Sequence, residues 1–170
     1  MPHGKPKPHI GGHLLLPQRD KYCVIGDLHG RIDTLEKIIN KFPEYHYILI
    51  GDVIHHKPFF KKTKKTSPVR MLQYVMNKNL QGKITLLLGN NENYILENLV
   101  TPEEKIIKKE TKYTLRSLKD LNFNDRLDII SWLARCPLTA TVQTKDKKYR
   151  LGHALYSEEV TKLNRNSILS

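Results

Sequence analysis

The stretch ILIGD, residues 48 to 52, is an apolar run that ends at a glycine and an aspartate. The same pattern occurs in VIGD at residues 24 to 27 and, with an amide in place of the carboxylate, in LLGN at residues 87 to 90. Short apolar runs that stop at glycine are typical of buried β-strands. The sequence therefore predicts three similar strands, each followed by a side chain that offers an oxygen atom.

Amphipathic helices are predicted after the first two of these strands, at residues 31 to 42 and 67 to 78, where apolar residues recur at helical spacing. Buried strands that alternate with such helices favour a parallel sheet covered on both faces. Farther along, residues 124 to 136 predict another helix, and residues 138 to 144 and 148 to 154 predict an antiparallel hairpin. The predicted fold class is α/β.

The length of the chain suits one domain. With 170 residues, of which 39% are hydrophobic, the chain is long enough to bury a substantial core. Residues 1 to 18 are rich in proline, glycine, histidine and lysine and lack hydrophobic periodicity. We expect a flexible basic arm over residues 1 to 18 and a single folded domain over residues 19 to 170.

The chain is strongly basic, with a formal net charge of +12. Such a charge invites a polyanionic partner, whether nucleic acid, an acidic protein surface or a phosphorylated ligand. The lysines concentrate in runs at residues 61 to 65, 103 to 112 and 145 to 148, and no sequence signature of a groove-binding or RNA-binding module accompanies them. Lysine runs of this kind are typical of solvated surface, so a nucleic-acid partner is not favoured.

No stretch of the sequence approaches the roughly 20 consecutive apolar residues that a membrane span requires, and the N-terminus lacks the apolar segment of a secretory signal. Cys23 and Cys136 lie inside apolar stretches without CxxC spacing, which is typical of free thiols in a reducing compartment. We therefore expect a cytoplasmic protein with no membrane partner.

Side chains at the three strand ends are expected to converge. Ligands bind outside the carboxyl ends of the strands in an open parallel sheet, so Asp27, Asp52 and Asn90 are brought to one rim. His29 lies two positions after Asp27 and returns to the same side of an extended segment. His153, near the end of the predicted hairpin, adds a nitrogen. Carboxylate, amide and imidazole ligands together suit manganese, iron, zinc or cobalt, and Asp52 has enough oxygen lone pairs to bridge two ions.

Each motif also has an ordinary structural interpretation. GDLHG at residues 26 to 30 contains common turn dipeptides, LIGD can end a strand in an Asx turn, and Asn90 with Asn91 can cap a helix. The occurrence of all the motifs in one order favours the metal site instead. Two ions about 3.5 to 4 Å apart form the clamp that is used for in-line displacement at phosphorus.

The motifs GDLHG, GDVIHHKP, LLLGNNE and GHALY resemble, in this order, those of the calcineurin-like metallophosphoesterases, specifically of the serine/threonine phosphoprotein phosphatase branch. The resemblance runs from about residue 20 to 157. It implies a two-sheet α/β sandwich and hydrolysis of phosphomonoesters by a metal-bridging hydroxide. It also implies two sets of ligands, which are Asp27, His29 and Asp52 for the first ion and Asp52, Asn90 and His153 for the second.

The sequence departs from the pattern of that family at the positions expected to be catalytic. His55 stands where the family has aspartate, His56 where it has the phosphate-binding arginine, and Asn91 where it has the histidine that acts as general acid. No second G-H motif follows His153. We therefore expect an incomplete second sheet and one missing imidazole at the second ion, as in a truncated or degenerate member.

Loss of a general acid typically lowers the rate by a factor of about 10² to 10⁴, and the effect is largest for poor leaving groups. The sequence thus predicts a metal-dependent phosphoesterase of impaired activity that holds two divalent ions, manganese first among them. Its substrate is expected to be a phosphorylated protein or nucleotide. The alternative is an inactive pseudophosphatase that binds phosphorylated or acidic partners.

Overall fold

The computed structural model describes residues 11–54, 67–100 and 109–153. They form six strands and five helices in the order β1 Gly11–Leu15, β2 Tyr22–Ile25, α1 Ile32–Lys41, β3 His46–Leu49, α2 Pro68–Leu80, β4 Ile84–Leu86, α3 Asn90–Val100, α4 Lys109–Lys119, α5 Phe123–Arg135, β5 Pro137–Gln143 and β6 Lys148–Gly152. No described helix is both long enough and apolar enough to cross a membrane.

The three strands that share the Gly-Asp or Gly-Asn ending form one parallel sheet in the order β2-β3-β4. Tyr22 pairs with His46, and Tyr47 pairs with Ile84, so the three strands start at one edge and end at the other. The parallel arrangement that was predicted from the alternation of strands and helices is confirmed. It brings the carboxyl ends of all three strands to the same edge.

Alternate residues of β3 face different layers, because successive side chains of a strand point to opposite faces. Tyr47 and Leu49 are fully buried in a large apolar cluster to which all five helices contribute. Ile48, between them, belongs to a second cluster on the opposite face. The parallel sheet is therefore covered on both faces, as predicted, and within residues 11–54, 67–100 and 109–153 the helices contribute to one of the two clusters.

A second sheet covers the other face. Its order is β1-β5-β6, with β5 and β6 antiparallel, which confirms the predicted hairpin. The buried residues between the two sheets are Leu16, Ile48, Leu87, Ala140 and Val142. The molecule has the two-sheet α/β architecture that the sequence predicted.

The flexible arm expected over residues 1 to 18 is wrong over Gly11–Leu15, which form β1 and pair in parallel with β5. His13 lies within hydrogen-bond distance of Thr139, 126 positions away in the chain, and Leu16 is buried between the sheets. Because this pairing is so distant in sequence, no local pattern predicts it. Residues 1–10 lie outside the described part.

Local sequence signals set the boundaries of several helices. The hydroxyl of Ser67 accepts a hydrogen bond from the backbone N–H of Arg70, and Pro68 occupies the first helical position of α2. Asn122 caps α5 in the same way by accepting from the N–H of Asp125. These caps satisfy N–H groups that have no partner within the helix.

Candidate metal centre

The carboxyl edge of the parallel sheet gathers the polar residues that follow its strands. Asp27 lies two positions beyond the end of β2, Asp52 three positions beyond β3, and Asn90 begins α3 just after β4. Asn90 therefore starts a helix and also lies at the edge of the sheet.

Asp27, His29 and Asp52 form a group in which one ligand atom from each side chain lies within 4.8 Å of the others. The Nε2 atom of His29 is 3.5 Å from an oxygen of Asp27. Spacings of this size let one cation sit between all three side chains, because metal–ligand distances to nitrogen and oxygen are about 2.0 to 2.2 Å.

The surroundings of His29 are consistent with a cation at this group. The residue is 8% exposed, and neither ring nitrogen has a hydrogen-bond partner among the described residues. A buried polar atom without a partner costs about 1–3 kcal/mol, so native proteins rarely leave one. A divalent cation on a ring nitrogen, with two carboxylates beside it, would satisfy that atom and offset the negative charge.

A second group shares Asp52 with the first. The Nε2 atom of His153 lies 2.7 Å from Oδ1 of Asn90 and 3.5 Å from Oδ1 of Asp52. On the other side of the ring, Nδ1 donates to the backbone carbonyl of Ile50 at 2.8 Å. Since this bond places the proton on Nδ1, the lone pair of Nε2 points toward the site, as metal-binding histidines require.

The side-chain amide of Asn90 has two useful orientations. With Oδ1 turned toward Asp52 and His153, atoms that carry lone pairs face one another, which suits a shared cation. With the amide rotated by half a turn, Nδ2 donates to Oδ1 of Asp52 at 3.1 Å and to Nε2 of His153 at 2.7 Å. The second orientation satisfies the same atoms by hydrogen bonds alone.

The backbone at this edge is strained in two places. His29 has φ 46° and Asp52 has φ 50°, both in the left-handed region that side-chain-bearing residues seldom adopt. The two turns are tied together, because the N–H of His29 donates to the carbonyl of Asp52 at 3.0 Å and that of Gly30 donates to the carbonyl of Val53. Strain of this kind is concentrated at functional sites.

Two of the strand-end glycines allow the ends of β3 and β4 to touch. A Cβ atom on Gly51 would lie 2.5 Å from the Cα of Gly89, and one on Gly89 would lie 2.6 Å from Oδ1 of Asp52. A Cβ on Gly26, by contrast, would meet nothing within 4 Å. The site therefore needs the small size of Gly51 and Gly89, whereas at Gly26 there is room for a side chain.

Glu92 lies beside this centre, and no role was expected for it from the sequence. It is fully buried, and its carboxylate accepts hydrogen bonds from the backbone N–H groups of Asp52, Val53, Ile54 and Gly89. Burial, and after it the charge of Asp52, raise the pKa of Glu92, while the N–H donors oppose that rise. Its position in the motif LLLGNNE was the available signal.

The residues expected to be catalytic are described only in part. Asn91 lies in the first turn of α3, and its backbone N–H donates to Oδ1 of Asp52 at 3.2 Å. His55 and His56 lie outside the described residues. The structure thus brings together all five expected metal ligands, Asp27, His29, Asp52, Asn90 and His153, with Asn91 beside them.

The chain is similar to two solved structures. A Saccharomyces cerevisiae protein serine/threonine phosphatase with similarity to human phosphatase PP5 is 19% identical over 81% of this chain and 40% of its own, with a TM-score of 0.45. A hypothetical protein from Pyrococcus horikoshii OT3 is 16% identical over 75% of this chain and 52% of its own, with a TM-score of 0.50. The chain thus spans about half the length of these two proteins or less.

No curated protein matches the chain. The family model described as calcineurin-like phosphoesterase matches residues 21–168, a range that includes every residue of the two ligand groups. The chain belongs to the calcineurin-like phosphoesterase family, a family of metal-dependent phosphoesterases.

Proposed function

We propose that this chain is a metal-dependent phosphoesterase that hydrolyses phosphomonoesters with two divalent cations, manganese being the preferred ion. The observation that carries the proposal is the position of Asp52. Its carboxylate lies in the group with Asp27 and His29 and also within 3.5 Å of His153 beside Asn90. One shared carboxylate between two sets of ligands is the arrangement that a two-ion site needs.

Each residue of the site has a separate task in this proposal. Asp27 and His29 would hold one cation, Asn90 and His153 would hold the other, and Asp52 would contribute to both sets of ligands. When bound, the cations supply positive charge to the phosphoryl group and a strong nucleophile at neutral pH. The mixture of carboxylate, amide and imidazole ligands suits manganese, iron or zinc. It differs from the cysteine ligands of a structural zinc site.

Asn91 limits the substrates that the site can hydrolyse quickly. Its amide can donate a hydrogen bond to a phosphate oxygen, but it cannot deliver a proton to the leaving group. A general acid contributes about 10²- to 10⁴-fold, chiefly for poor leaving groups such as serine. We therefore propose slow hydrolysis of phosphoserine and faster hydrolysis of aryl phosphates and phosphoanhydrides, the latter being bonds found in nucleotides.

A second candidate function is a pseudophosphatase that binds phosphorylated or acidic partners without turnover. The amide at Asn91 favours it, because a side chain without a transferable proton suffices for binding. Its partners would be drawn to the net charge of +12. We propose a cytoplasmic location in either case, since both Cys23 and Cys136 are free thiols.

Turnover of p-nitrophenyl phosphate tests the two candidates. We expect manganese-stimulated turnover in the wild-type chain and its loss in Asp52→Asn, which keeps a residue that tolerates the left-handed backbone but removes the bridging charge. Asp128→Asn is the matched control, because Asp128 is exposed on α5, away from the site.

The control is expected to retain wild-type turnover. Equal rates in the wild-type chain and Asp52→Asn would contradict the proposal. Cation binding without turnover in the wild-type chain would favour the pseudophosphatase.

A further inference from the structure

The carboxylate of Glu92 joins the ends of two strands. One oxygen accepts from the N–H of Asp52 at 2.8 Å and from that of Gly89 at 3.0 Å. The other oxygen accepts from Val53 at 2.9 Å and from Ile54 at 3.2 Å. Three consecutive N–H groups after β3 and one after β4 therefore point at a single side chain.

Glu92 is also linked through Asp52 to a residue that it does not contact. Its bond to Asp52 holds a backbone with φ 50°. The carbonyl of Asp52 in turn accepts from the N–H of His29, whose own φ is 46°. The conformations of Asp52 and His29, one from each strand end, are thus linked to the same buried carboxylate.

The hydrogen bonds to Glu92 can hold this strained backbone. Residues that bear a side chain keep a left-handed backbone only where the surrounding structure enforces it. Glu92 supplies such a constraint at Asp52 by four hydrogen bonds, all from backbone N–H groups at the two strand ends. These contacts are made by the protein's own groups.

We propose that Glu92 is a positioning residue that sets the geometry of the cation site before any cation binds. This inference rests on the proposed function, because it concerns the same centre. Glu92 does not lie in either ligand group, and it acts through the backbone of Asp52. Residues that orient metal ligands in this way typically change metal affinity by about 10- to 100-fold when they are substituted.

The first test is amide hydrogen exchange on the chelator-treated wild-type chain. We expect the N–H groups of Asp52, Val53, Ile54 and Gly89 to be protected, because Glu92 accepts all four. In Glu92→Gln one oxygen becomes an NH₂ group that cannot accept, so exchange of the two amides that face this group is expected to be at least about tenfold faster. Unprotected amides in the wild-type chain would overturn the proposal, and so would equal exchange in the two chains.

The second test is manganese affinity, measured by titration and compared at matched stability. We expect Glu92→Gln to bind manganese about 10- to 100-fold more weakly than the wild-type chain. Ile129→Ala is the control, since Ile129 is fully buried on α5 in the large cluster and its truncation destabilises the fold without altering the site. An equal loss of manganese affinity in Ile129→Ala would overturn the proposal, because Glu92 would then affect binding only through the stability of the fold.

The two tests separate this inference from the proposed function. If the wild-type chain binds no manganese, the proposed function fails, whereas the exchange experiment still decides whether Glu92 holds the turns. If Glu92→Gln does not fold, protection of the four amides in the chelated wild-type chain decides the matter. Wild-type manganese affinity in a folded Glu92→Gln would overturn the positioning role.

Discussion

Two buried histidines stand at opposite edges of the same parallel sheet. His46 begins β3 at the amino edge, and His29 follows β2 at the carboxyl edge. Both are nearly inaccessible, with 7% and 8% of their surface exposed. The ring of His46 is bonded on both sides, to the carbonyl of Gly82 at 3.0 Å and to the hydroxyl of Thr85 at 2.8 Å. Neither nitrogen of His29 has such a partner among the described residues.

Burial alone does not distinguish these two histidines. At the amino edge the hydrogen bonds of the imidazole join two strands. At the carboxyl edge an imidazole of similar burial lies beside two carboxylates, and its nitrogens have no hydrogen-bond partner among the described residues. Unmet hydrogen-bonding capacity, rather than depth, distinguishes the two regions.

Substitution of His29 should have the largest effect on turnover, and substitution of His46 should have little. We expect His29→Asn to lower manganese-stimulated turnover of p-nitrophenyl phosphate by more than about 100-fold. Substitution of a residue that only supports a metal ligand typically lowers activity by about 10- to 100-fold, and loss of a proposed ligand should cost more. Asparagine tolerates the left-handed backbone, so the fold should persist. Steady-state rates at saturating manganese are the measurement.

His46→Asn is the matched control for that substitution. It should keep the rate of the wild-type chain while it remains folded, and it should lose about 1–3 kcal/mol of unfolding free energy because buried groups of Gly82 and Thr85 lose their partner. Similar losses of turnover from both substitutions would show that the two edges do not differ in function.

A smaller effect should appear in the dependence of stability on pH. Burial lowers the pKa of His46, and the nearby charge of Arg19 lowers it further, while the bond to Gly82 opposes the shift. Because the folded pKa lies below the unfolded value of about 6.5, the folded state binds fewer protons. Unfolding free energy should therefore fall as the pH drops from about 7 through 6.5 and below.

Denaturant titrations between about pH 5 and 7 can detect this slope. His46→Gln removes the titrating ring and should flatten this slope. A slope that persists in His46→Gln would assign the dependence on pH to other groups.

Local sequence patterns were sufficient to predict the parallel sheet and the helices α1, α2 and α5. The Gly-Asp and Gly-Asn endings predicted that β2, β3 and β4 end together, since a strand period and a glycine are encoded within a few residues. Ser67 and Pro68 marked the start of α2 for the same reason. Such features depend on neighbours in the chain, so the sequence displays them directly.

Features that depend on distant contacts could not be predicted in this way. β1 forms only because β5 pairs with it, and nothing within residues 11 to 15 indicates that partner. The backbone N–H of Asp52 donates to the carboxylate of Glu92, which lies 40 positions away in the chain. The relation between these residues becomes visible only when the strand ends are placed side by side.

The content of manganese per chain is the sharpest test of the proposed two-ion centre. After removal of metals with a chelator and dialysis against manganese, we expect two ions per wild-type chain and fewer in Asp52→Asn, which lacks the shared carboxylate. No bound manganese in the wild-type chain, or the same content in both chains, would contradict the proposal that the carboxyl edge of this sheet holds two ions.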